Sequence, residues 1–266
     1  MKIVIALRYD LLMHVFNATR DAGFQEEKYR SLYLDIKWSK DQLIELLDKR
    51  INLLIRGAYT GAAVSHAGIL DVKMRTKQKS AIDYMLDRTF MRPRDIIQFF
   101  NICIARATNE PVITTKILYD AEAEYSDDRL RSLFDEWRND YPNLRDFIEL
   151  LRGRTSAFNI GQLDDATCNE FAINFVAHHV GRGDALSEAA SNLLEDNDPH
   201  RFRRTVVAIF FLTGLISVKA DTGLRRSYLG FTTLDPTEID EQARLHVHPM
   251  FWCALGINEA RKALAV

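Results

Sequence analysis

Cysteine is scarce in this 266-residue chain: Cys103, Cys168 and Cys253 are the three present, and no two of them have metal-site or redox-pair spacing. That excludes a disulfide framework and fits a reducing compartment in which each thiol acts as a small apolar group, so a cytoplasmic protein is expected. A long hydrophobic run is missing too. The most apolar stretch, residues 205–218 between Arg204 and Lys219, falls short of the roughly 20 residues a bilayer span needs. It reads as a buried core helix. The first ten residues hold a lone lysine and a short apolar run broken at Arg8 and Asp10, which is not a signal peptide pattern. There is no excess charge of either sign, with 35 Lys and Arg against 37 Asp and Glu, so any nucleic-acid surface has to be a local patch. Internal repeats and low-complexity segments are absent as well.

What remains is an ordinary globular composition, 47% hydrophobic and 27% charged, on a chain long enough for one large domain or two small ones. Residues 2–7 are rich in Ile and Val and read as a strand buried on both faces, as in parallel sheets. Asp10 is a cap for a helix over 11–17, and Leu32, Leu34 and Ile36 alternate along a second expected strand, 29–36. Ser39 is an N-cap for a helix whose apolar face is Leu43, Leu46, Leu47, Ile51 and Leu54. Residues 56–80, with three glycines and many small or polar residues, read as an irregular connection. Helices are then expected over 81–90 and from Pro93, suited to a first turn, to Ala107 with Ile96, Ile97, Phe100, Ile104 and Ala107 as its stripe. Thr114 caps a long helical stretch through Tyr141, Pro142 stops it, and Asn143 opens a short helix to Arg152.

From Leu163 the pattern changes. Helices over 164–179, 185–195 and 199–215 precede three short strand candidates at 216–219, 226–231 and 244–248. Helices followed by a strand ribbon have the sequence shape of a winged helix. A domain boundary is expected within 152–161, giving domains 1–155 and 156–266.

The phosphate-binding signature G-x-x-x-x-G-K-[ST] does not occur. Gly57 and Gly61 are four apart, but Ala62 follows where lysine is needed. No apolar strand ends in paired acids either, so autonomous ATP hydrolysis is not expected. Five segments nevertheless carry a resemblance: KIVIALRYD at 2–10, YRSLYLDIKWSKDQLIELLDKRI at 29–51, RTFMRPRDIIQFFNICIARA at 88–107, AEAEYSDDRLRSLFDEW at 121–137 and HPMFWCALGI at 248–257. Together they resemble the C-terminal portion of a bacterial family of AAA+/STAND-like P-loop ATPases, some found among phage-defence genes. RPRDIIQF is the most specific piece. The resemblance implies a mainly α fold with an α/β N-terminal remnant: a truncated parallel sheet, a helical lid and a C-terminal winged-helix domain. It also implies that Arg8, at a strand end, and Arg94, opening the lid helix, are sensor residues for a nucleotide phosphate. Arg92 stands beside Arg94 at the same helix start, where cations oppose the macrodipole and a bound phosphate would relieve the conflict; the alternative is pairing with acids such as Asp87 and Asp95. ATP is the implied cofactor only with an upstream nucleotide-binding half or a partner subunit.

A second candidate site is basic. Residues 201–230 carry Arg201, Arg203, Arg204, Lys219, Arg225 and Arg226 against one acid, Asp221. Arg225 and Arg226 fall at the expected wing, and Arg203, Arg204 and Lys219 could join them on a DNA backbone. The alternatives are solvated helix ends or pairing with Glu195, Asp196 and Asp198. Because 205–215 is nearly all apolar, sequence-specific base reading is not expected. His246 and His248 are two apart on a strand, but no third and fourth ligand lies nearby in sequence, so no metal is expected. The expected partners are the upstream ATPase half or a partner subunit, non-specific DNA and further copies of this chain, with no membrane. The competing readings are a winged-helix nucleic-acid-binding protein and a non-catalytic interaction module.

Overall fold

The computed structural model describes residues 4–6, 12, 32–34, 36–56, 62–70, 80–179, 183–219, 234–240 and 242–259. The chain divides into two compact units, residues 1–37 and 38–266. In the first unit neither expected strand forms at the described positions. Val4 and Ile5 have no regular structure and are 94% and 71% exposed, and Leu32, Leu34 and Ile36 are exposed as well. The physical reason is that a strand buried on both faces needs a paired neighbour and two covering layers. Among the described residues none supplies them. The expected helix at 11–17 lies outside the described residues except for Leu12.

The second unit is mainly helical. Helix α1 (Lys40–Arg56) starts where Ser39 and Gln42 exchange bonds: the Gln42 amide donates to Ser39 Oγ at 3.2 Å and the Ser39 amide donates to Gln42 Oε1 at 2.9 Å. This reciprocal cap satisfies two amides that the helix itself leaves unpaired. Leu43, Leu47 and Ile51 point into the core, whereas Leu54 is exposed. The following segment holds a one-turn helix, α2 (His66–Ile69), tied back to α1 by the His66 and Val64 amides donating to Asp48 Oδ1 and Asn52 Oδ1 at 2.6 and 2.8 Å.

Helix α3 (Ala81–Leu86), α4 (Pro93–Arg106) and the 23-residue α5 (Thr115–Trp137) form the heart of this unit. Pro93 occupies the first turn of α4, and Thr114 Oγ1 accepts the Ile117 amide at 3.4 Å, as expected. The buried stripe of α4 is Ile96, Phe99, Phe100 and Cys103; Ile104 is exposed. The stripe is rotated from the expected one because Phe99 stacks on Tyr125 of α5, ring centroids 4.5 Å apart and planes 6° from parallel. Such a pair adds about 0.5–1.5 kcal/mol to the area it buries.

After α6 (Leu144–Phe147) and a 3-10 turn (Ile148–Leu151) comes β1 (Ala157–Asn159), which the sequence reading does not anticipate. Helices α7 (Asp165–His178), α8 (Ala185–Asp196) and α9 (Pro199–Leu212) follow, then β2 (Ile216–Lys219) and β3 (Arg244–Val247). The three strands form one antiparallel sheet in the order β1-β3-β2, with Phe158 opposite Leu245 and Val218 opposite Leu245 on the other side. The strand expected at 226–231 lies outside the described residues. A short helix, α10 (Trp252–Leu255), is the last helix among the described residues and packs on α5. There Ser126 Oγ donates to the Met250 carbonyl at 2.7 Å and accepts the Ala254 amide at 3.0 Å, joining residues far apart in sequence on either side of the expected boundary near 155. Among the described residues, no helix is long and apolar enough to cross a membrane.

Candidate functional site

The start of α4 carries two of the three arginines that the sequence reading singled out for a phosphate, Arg92 and Arg94. Arg92 is the N-cap residue, in extended conformation and without a side-chain cap bond. Asp95, in the first turn of the helix, reaches back to the preceding turn instead: its Oδ2 accepts the Phe90 amide at 3.1 Å. Asp95 is fully buried, with Arg129 Nη2 of α5 at 3.4 Å from its other oxygen. Burial pushes the Asp95 carboxyl above its ordinary range; Arg129, the Phe90 amide, Arg92 and Arg94 pull the other way without cancelling it.

Arg94 is 60% exposed, and its Nη2 is 3.8 Å from Glu136 Oε2, while Nε is 3.7 Å from Asp95 Oδ1. Arg92 Nη1 reaches the same Glu136 oxygen at 3.7 Å. These separations exceed hydrogen-bond range, so the Glu136 carboxylate meets the two guanidinium groups only at a distance, at a helix N-terminus whose dipole also favours negative charge. A phosphate-type anion meeting either arginine bidentately at about 2.8 Å would form stronger bonds than Glu136 does. Of the expected alternative partners, Asp95 lies beside Arg94, and Glu136, which the sequence reading did not name, lies beside both arginines. Arg8 lies outside the described residues.

A second polar cluster lies deeper, and sequence reasoning missed it. Arg88 Nε of the α3–α4 turn and Glu122 of α5 form a buried ion pair, Tyr84 Oη donates to Glu122 Oε2 at 2.5 Å, and the Arg88 guanidinium lies 3.4 Å from the Tyr84 ring centroid. The partners are 34 and 38 residues apart, so no local pattern announces them. His248 sits near Arg88, just past the end of β3. It is buried, and its Nδ1 accepts the Met250 amide at 3.1 Å. Burial, helped by the Arg88 charge, drives its pKa down to about 3. His248 thus turns into the core rather than sharing a strand face with His246. Among the described residues no group of three His, Cys, Asp or Glu side chains is placed to hold a metal ion.

The basic stretch is dispersed. Arg203 is only 3% exposed: its Nη1 donates to the Leu163 carbonyl at 3.1 Å and to Asp165 Oδ1 at 2.5 Å, pinning the entrance of α7. These contacts place Arg203 in the packing between α7 and α9, with almost none of its surface open to solvent. Arg204 is half-buried and Lys219 is exposed at the end of β2. Arg201 pairs with Asp196 at 3.3 Å. Arg225 and Arg226 lie outside the described residues. Exposed Glu195, Asp196 and Asp198 crowd the α8–α9 turn, while residues 206–211 of α9 are all buried. The face that would approach a nucleic acid at this turn is thus as acidic as it is basic.

Among known protein families, residues 41–134 match FunZ_C, a FunZ-associated C-terminal helical domain. The match spans α1 to most of α5, and so includes Arg92, Arg94, Asp95, Arg129 and the Arg88–Glu122 pair. A comparison with curated proteins and with solved structures found no match.

Proposed function

We propose that this chain is the lid and winged-helix portion of a P-loop ATPase of the AAA+/STAND-like kind, regulatory rather than hydrolytic, working with a nucleotide-binding half supplied by another segment or subunit. One observation carries the reading: two arginines of the segment that matches a C-terminal helical domain, Arg92 and Arg94 at the start of α4, lie 3.7 and 3.8 Å from one oxygen of Glu136 rather than in close ion pairs with it. The arrangement suits a rim that grips phosphate oxygens while the cradle comes from elsewhere, since no Walker-type loop occurs in the sequence. Exposed apolar residues at Val4, Ile5, Leu32, Leu34 and Ile36 favour a protein partner over an isolated existence. A role in phage defence follows only from the resemblance. The test is calorimetric titration of ATP into the chain joined to its nucleotide-binding half, wild type against Arg94→Ala. Equal binding heats and affinities would remove the arginine from the nucleotide site.

A second reading, nucleic-acid contact by a winged helix, draws on the order of α8, α9, β2 and β3 and on the β1-β3-β2 pairing. The acidic α8–α9 turn and the buried Arg203 weigh against the helix face as the contact, which leaves Lys219, Arg225 and Arg226 as its remaining basis.

A further inference from the structure

Three non-glycine residues among those described have positive φ: Met91 at 53°, Asn109 at 70° and Asn197 at 51°. Asparagine tolerates the left-handed region because its short side chain bonds locally. Methionine has no such compensation, and residues held there cost of order 1–3 kcal/mol and persist only when their surroundings fix them. Met91 lies between α3 and α4, next to Arg92, so the strain is stored in the turn that carries the arginine site.

The surroundings that hold it are specific. Thr89 Oγ1 accepts the Met91 amide at 3.1 Å, and Asp95 accepts the Phe90 amide at 3.1 Å. The Phe90 ring is then wedged into the C-terminal part of the structure. Its centroid lies 4.8 Å from that of His248, at the end of β3, and 6.0 Å from that of Phe251. On another side it meets Gly214, the left-handed residue that leads from α9 into β2; a Cβ there would stand 3.0 Å from the ring. The Arg92 guanidinium lies 5.4 Å from the same ring. One aromatic ring thus touches the exit of α9 and the end of β3 while standing two residues from the N-cap of α4.

We propose that the 89–92 turn is a strained coupling element, passing displacements of Arg92 and Arg94 through Phe90 to the joint between α9 and the β2–β3 pair. Moving Arg92, the residue after Met91, together with Arg94, whose Nε lies 3.7 Å from the Asp95 carboxylate that holds the Phe90 amide, lets the Met91 backbone relax, which shifts Phe90 relative to Gly214 and His248. Close-packed interiors answer such shifts by switching arrangement rather than by deforming smoothly. The coupling rests on the proposed anion site only for what moves the arginines in nature. Its geometry does not involve ATP.

Hydrogen exchange of the full chain, without nucleotide, tests it. Replacing both arginines (Arg92→Ala with Arg94→Ala) is expected to alter exchange of the amides at 215–219 and 245–248 by about threefold or more, although neither arginine touches them. The same replacement made on a Met91→Gly background, where a permissive backbone absorbs the displacement, is expected to leave those amides within about 1.5-fold of their Met91→Gly values. Phe90→Leu is expected to uncouple them likewise; should that variant not fold, the Met91→Gly comparison decides alone. A response confined to 88–96 and the vicinity of Glu136, or a remote response that survives Met91→Gly, overturns the proposal. Failure here leaves ATP binding untouched, and an ATP affinity indifferent to Arg94 would sink the nucleotide reading while leaving this coupling standing.

Discussion

Replacing Glu122 with glutamine tests whether the buried pair in the α3–α5 interface is an electrostatic necessity. The side-chain volume is nearly unchanged, so the effect isolates the charge. Arg88 and Glu122 are 9% and 5% exposed at their side chains, and the arginine cannot release its proton. Glu122→Gln therefore leaves a guanidinium inside the protein without a counter-charge. Removing one partner of a buried pair typically costs about 3–5 kcal/mol. Here Arg88 keeps a bond to the Tyr84 carbonyl at 3.3 Å and the Tyr84 ring beneath it, which favours the lower end, about 3 kcal/mol. For a unit of this size that lowers Tm by about 6–12 °C, at about 2–4 °C per kcal/mol. Urea unfolding followed by circular dichroism should show the midpoint falling with the slope m unchanged. Adding Arg88→Met removes the orphaned charge as well and should recover at least half of the loss. A single-mutant cost under about 0.5 kcal/mol, or a double mutant no better than the single, would refute the reasoning, because an unpaired charge could not then be what the mutation creates.

Two further outcomes follow. The pKa of His248 falls from its ordinary 6.5 to about 3 in the folded protein, so its contribution to stability is complete above pH 6.5 and is lost as the pH drops toward 3. Wild type should lose about 1.4 kcal/mol per pH unit more than His248→Asn between about pH 6 and 4, and parallel stability curves for the two would contradict this. Arg203→Met should lower stability by about 1–3 kcal/mol in urea, since it strips the Leu163 carbonyl of a buried donor. Any DNA binding should keep its salt slope; a slope reduced by about one would reinstate Arg203 as a phosphate contact.

The elements legible in the sequence are those fixed by local chemistry. Ser39, Thr114 and Pro93 mark helix starts correctly because a cap or a fixed φ acts within three residues. The stripe of α4 was ambiguous because that helix is apolar on most sides, and only the partner ring of Tyr125 selects Phe99 over Ile97. Strand β1 is three residues long and is defined by pairing with β3, far along the chain, which no window on residues 157–159 contains. The strands expected at 2–7 and 29–36 had the right composition, but composition does not provide the neighbours a ladder requires. At the candidate site, Arg92 and Arg94 were readable as cations at a helix start. Glu136 and Arg129, some forty residues later in the sequence, were not, because only the antiparallel packing of α4 on α5 brings them near. The partner of Arg203 was hidden for the same reason: the carbonyl it serves lies 40 residues earlier.

The most direct test pairs two substitutions of opposite sign: the dissociation constant for ATP, measured with the nucleotide-binding half present, for Arg94→Ala and for Glu136→Gln. Losing the arginine should weaken binding about tenfold or more, since a charge-assisted bond contributes about 1.5–3 kcal/mol. Neutralising the competing carboxylate should tighten it several-fold. Constants that stay level, or that move in the same direction, would mean that the arginines at the start of α4 are held by Glu136 for the sake of the fold alone.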